Sequence, residues 1–152
     1  MQQAKSKEFL RLCKKYGVDP DNVNEVLSFE AACKITGDDP KSLPIVKNCA
    51  ARHRKRLLSD YMLSIIAEAL RTDLTGKRKD VDYTTSDWKY FARFLVNATK
   101  KKPSGSGLSC DGCDRWRSFS HVGVRLCFPN YDTAIFFGKH FLKLHTDHHL
   151  YT

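Results

Sequence analysis

The feature that most constrains this chain is a single long amphipathic run. From about Cys49 to Thr72, with Asn48 placed to cap it, Leu58, Tyr61, Met62, Ile65, Ala69 and Leu70 recur at helical spacing. A stripe of that length must be buried against something, and it predicts the longest helix and the centre of the core. No other stretch offers a comparable helix. The apolar segment Met62 to Leu70 is interrupted by Ser64 and Glu68, so no run approaches the roughly 20 residues of a membrane span.

The rest of the chain divides around that run. Phe9, Leu12, Cys13 and Tyr16 give a short amphipathic helix over Lys5 to Tyr16, ended by Gly17 and the Asp19-Pro20-Asp21 turn. Residues 1–24 thus form a helical appendage to one domain spanning 1–152. Ser28 is placed to cap a second short helix, FEAACKIT, which Gly37 stops. Asp38 to Pro44 reads as a loop, and Thr72 to Thr85 as another.

From Trp88 the period changes. WKYFARFLV reads as a strand, KKKPSGSG as a connector, and Trp116 to Ser120 and Val122 to Phe128 as two more strands. Trp88 and Phe128 are assigned to the core. Asn130 caps a last helix with Ala134, Phe137, Phe141 and Leu144 on its buried face. The predicted class is α+β: N-terminal helices, a small antiparallel sheet of about three strands, and a C-terminal helix packed on it. At 152 residues such a domain buries roughly 70% of its unfolded surface and needs no disulfide or metal.

Several of these stretches together resemble a set of small proteins encoded by phages and mobile elements of gut Bacteroidota. SFEAACKITGDDPKSLP, IIAEAL, WKYF, VGVRLCF and FFGKHF carry the resemblance, in matching order from Ser28 to the C-terminus. It implies an α+β fold and a phage or mobile-element setting, and it brings no catalytic residues. This chain departs from the pattern in the basic ARHRKR segment, the KKKPSGSG insert and a histidine-rich tail.

Six cysteines at irregular spacing, behind an N-terminus (MQQAKSKEF) without a secretory core or cleavage site, fit a reducing compartment. The expected location is the host cytoplasm, with a virion as the other setting. Cys110 and Cys113 form a CxxC pair that could hold a metal, exchange disulfides, or occupy a turn; the turn is the expectation. No helix N-terminus follows the pair to lower a thiol pKa, which argues against redox chemistry. A zinc-stabilised module is the alternative, with Cys110, Cys113, Cys127 and His140 as a Cys3His set, or His145, His148 or His149 as the imidazole. His121 is read as a turn or packing histidine. No GxSxG, HExxH, Walker loop or dinucleotide fingerprint is present, so no enzyme and no cofactor is expected.

Charge carries the functional expectation. A net charge of +9 points to an anionic partner. Arg52, Arg54, Lys55 and Arg56 open the long helix, where cations oppose the helix dipole and a bound phosphate would offset the cost. Lys77, Arg78 and Lys79, and Lys100, Lys101 and Lys102, lie in loops that could follow a phosphate backbone. Arg115 and Arg117 share one face of a regular strand and are interleaved with aromatic residues. The expectation is a non-enzymatic protein binding DNA or RNA through basic and aromatic surface residues. Its rival is a virion component or host-takeover protein using the same cationic face on an acidic protein.

Overall fold

The computed structural model describes Lys14 and residues 28–71, 81–96, 107–117 and 126–150. The expected helix over Lys5 to Tyr16, the Lys77–Lys79 and Lys100–Lys102 clusters, and His121 lie outside the described residues, Lys14 apart.

Both local stop signals of the first described helix act as read. In α1 (Phe29–Thr36) the Ser28 hydroxyl accepts from the Ala31 N–H at 3.2 Å. Gly37 closes the helix at φ 86°, and its N–H and that of Asp38 bond the Cys33 carbonyl at 2.8 and 3.0 Å. Only glycine adopts that backbone without strain.

The long helix, α2, spans Ala51–Arg71. It starts later than its apolar pattern suggests, and Asn48 supplies no cap among the described residues. Instead Arg54 folds back, donating from Nε to the Cys49 carbonyl (2.9 Å) and from Nη2 to the Lys47 carbonyl (2.8 Å). Leu63, Ile65, Ile66, Ala67, Ala69 and Leu70 are all buried, so the second half of α2 is covered on several faces. The first half is exposed on most sides.

The sheet corrects the expectation. Among the described residues it has two antiparallel strands, β1 (Lys89–Val96) and β2 (Leu108–Trp116), not three. Trp116 ends β2 rather than opening a strand. Of the described part of the segment read as a third strand, residues 126–128, Phe128 alone pairs, through two backbone bonds with Tyr90 at 2.9 and 2.7 Å. Cys110 and Cys113 lie within β2 and not in a turn. The period-2 pattern that would reveal this is broken by a bulge: Arg93 pairs with Gly112 but Phe94 with Cys110, leaving Asp111 as the extra residue. Because Ala92 and Phe94 share a face, so do their partners Cys113 and Cys110, although they stand three positions apart.

That face meets a helix. α3 (Tyr131–His140) is capped by Asn130, whose side chain accepts from the Thr133 N–H at 2.8 Å. Its Gly138 sits against the sheet so closely that a Cβ there would lie 2.6 Å from Ala92 Cβ and 2.7 Å from Cys110 Sγ. The expected single C-terminal helix is divided. Phe141, at φ −110° and ψ 29°, bends the chain into α4 (Leu142–His149), while bonds from Phe141 to Phe137 and from His145 to Phe141 carry across the bend. The bend lets α3 lie on the strands while α4 packs along α2. Phe29, Cys33, Leu63, Ile66, Phe128 and Phe137 form the common core. No helix among the described residues is long and apolar enough to cross a membrane.

Candidate nucleic-acid interface

The turn before β1, and not alternation along the strand, decides what reaches the surface at its first residues. Lys89, not Trp88, takes the buried position. Lys89 is 1% exposed; its ammonium donates to the carbonyls of Thr85 (3.0 Å) and Asp87 (3.1 Å) and stands 5.9 Å from the Tyr83 ring centre. The turn before the strand therefore builds a polar socket for a cation, and Trp88 is turned outward. At 37% exposure Trp88 is not a core residue, contrary to its sequence assignment; Phe128, at 0%, is.

Trp88 is covered by two arginines, Arg115 near the end of β2 and Arg117 just beyond it. The guanidinium carbons of Arg115 and Arg117 lie 4.3 and 4.7 Å from its ring centre. Both distances are within cation–π range. Tyr90, the cross-strand neighbour of Arg115, stacks edge-on with the exposed Tyr131 at 6.5 Å. Among the described residues neither Arg115 nor Arg117 has a carboxylate partner. Arg93 shows the contrast: it bonds Asp111 at 3.0 Å and lies 3.6 Å from Asp114.

The cluster at the start of α2 is less uniform than its sequence. Arg54 is committed to two backbone carbonyls, and Arg52 donates to His53 Nε2 at 3.1 Å. Arg56 stands beside His148 and His149, whose protonation its charge disfavours. Arg52, Lys55 and Arg56 are exposed, and the first turn contains no acid to balance the helix dipole. Arg71, at the other end of α2, is near enough to Cys127 to act on its thiol, as is Lys89. Thus the Trp88 end of the molecule adjoins the far terminus of α2, about 25 Å along the helix from Arg54.

The cysteines are placed for packing. Burial raises the Cys113 thiol to about 11 and pushes Cys110 and Cys127 upward, the opposite of an activated thiolate. Cys127 Sγ is 3.1 Å from the Tyr83 hydroxyl. Cys110, Cys113, Cys127 and His140 are not gathered into a ligand set; among the described residues no three His, Cys, Asp or Glu side chains converge as a metal would require.

The histidine tail makes an arrangement that spacing alone did not reveal. His145 is 2% exposed, between Phe94 (4.5 Å) and Phe137 (4.7 Å), and neither ring nitrogen has a hydrogen-bond partner among the described residues. Burial first, then the charges of His149 and His148, lower its pKa to about 3, with the Phe137 carbonyl offsetting part. His148 Nδ1 faces Asp60 at 3.7 Å, bridging α4 and α2. The i, i+3, i+4 spacing of the three histidines was the available signal; which of them turned inward depended on the bend at Phe141.

No family model, curated protein or solved structure matches the chain.

Proposed function

We propose that the protein is a non-enzymatic nucleic-acid-binding protein whose primary contact is the Trp88–Arg115–Arg117 cluster, with single-stranded DNA or RNA as its ligand. One observation carries the reading: two guanidiniums, without a carboxylate partner among the described residues, are held over one exposed indole. Two cations drawn together in this way repel each other, and a phosphate between or beside them relieves that cost. Their contact with Trp88 also restrains them in advance, so less side-chain entropy is lost on binding. The exposed ring of Tyr131 suits an unstacked base, which duplex DNA does not offer. Arg52, Lys55 and Arg56 form a second, distant contact for a longer strand, and a phage or mobile-element setting would give such a protein its ligand.

Titration of a labelled single-stranded oligonucleotide, followed by anisotropy over a range of salt, tests the reading. Affinity is expected to fall steeply with salt, and Arg115→Glu with Arg117→Glu to abolish binding while the circular dichroism spectrum is unchanged. Salt-independent binding, or a double variant that binds as well as the parent, would reject it. Binding to an acidic protein but to no oligonucleotide would transfer the cluster to the rival role.

A further inference from the structure

Beside the arginine pair lies a cavity of about 410 Å³, in the size class of small-ligand sites. Trp88, Tyr90 and Pro129 provide flat apolar walls, and Asp82 and Asp87 border it with carboxylates. Resting on the nucleic-acid reading, we propose that this cavity takes one base of the bound strand and favours bases that carry an exocyclic amine.

The argument is one of donor and acceptor supply. The Asp82 Oδ1 atom is occupied by Thr84, from N–H at 2.7 Å and from Oγ1 at 2.6 Å, which leaves Oδ2 without a bond from Thr84. Asp87 Oδ2 accepts from the Thr85 hydroxyl at 3.0 Å, and Oδ1 is left to accept another. Those Thr84 bonds also keep the Asp82 carboxyl below the usual carboxylate range, so near neutral pH it is an acceptor and not a donor. Lys89 borders the cavity too, but its ammonium is engaged by the Thr85 and Asp87 carbonyls. Two carboxylates accept well from the amine of cytosine, adenine or guanine, whereas the O4 of thymine or uracil at the same position meets like partial charge. The phosphate of that nucleotide is left to Arg115 and Arg117, whose shared partner Trp88 also forms the cavity wall.

Binding of oligo-dC and oligo-dT of equal length, at pH 7.5 and equal low salt, is the test. The cytosine strand is expected to bind roughly tenfold more tightly, and replacing guanine by hypoxanthine in an oligo-dG-containing strand to cost a similar factor. Asp87→Asn, which puts an amide donor beside the base, is expected to shrink the preference for cytosine without changing the salt dependence. Equal affinity for the two strands, or tighter binding of oligo-dT, overturns the base pocket and leaves phosphate binding standing. Failure of every strand to bind removes the underlying reading as well.

Discussion

Trp88 and Lys89 exchange the places that hydrophobicity would give them. Reading the sequence, the tryptophan belongs inside and the lysine outside; the socket of carbonyls from Thr85 and Asp87 reverses this, and no residue pattern announces a socket made of main chain. Arg115 and Arg117 were legible because i, i+2 spacing puts them together on any strand, whereas Arg54 looked equally available and is spent on the Lys47 and Cys49 carbonyls. Trp88→Ala is accordingly expected to weaken oligonucleotide binding several-fold, by freeing the guanidiniums and removing a stacking surface, with little loss of stability. His145 should set the acid limit of the fold. Its folded pKa, about 3, is below its unfolded value, so its contribution is complete above pH 6.5 and is lost as pH falls toward 3. Asp60, His148, His149 and Arg56 are the titratable or charged groups around that end of α4, and the loss is on the order of 4 kcal/mol. Urea midpoints measured from pH 7.5 to 4 should drop accordingly, and the drop should be blunted in His145→Leu.

At the scale of elements, most helix ends and the first strand were legible and the second strand was not: WKYFARFLV became β1, whereas Asn48 caps nothing among the described residues. Ser28, Gly37 and Asn130 act through bonds to residues three or four positions away, which a sequence displays directly. The position of β2 depended on Asp111 being skipped in the ladder and on a long-range partner, and both are settled only when β1 and α3 are in place. Likewise the bend at Phe141 follows from packing on two surfaces and carries no glycine or proline to mark it. Asn130→Ala should destabilise the protein by about 1 kcal/mol through the lost cap on α3. Gly138→Ala should cost more, about 1–3 kcal/mol, because the new methyl meets Ala92 Cβ and Cys110 Sγ, and the strand must move to admit it. Thermal melts of the two variants would rank them.

For the whole molecule, the candidate cations among the described residues lie toward the two ends of α2. A tetranucleotide should therefore ignore Arg52→Gln with Lys55→Gln, while a strand of about twenty nucleotides should lose affinity and salt sensitivity. Removing Arg115 and Arg117 together should lower the salt slope by about 1.4 for single strands, at about 0.7 per phosphate contact. The enclosed Lys89 has a practical consequence. Amine-acylating reagents should modify the surface lysines of the native protein quickly and spare this one, so the mass of its peptide after a brief pulse reports whether the turn and β1 are closed.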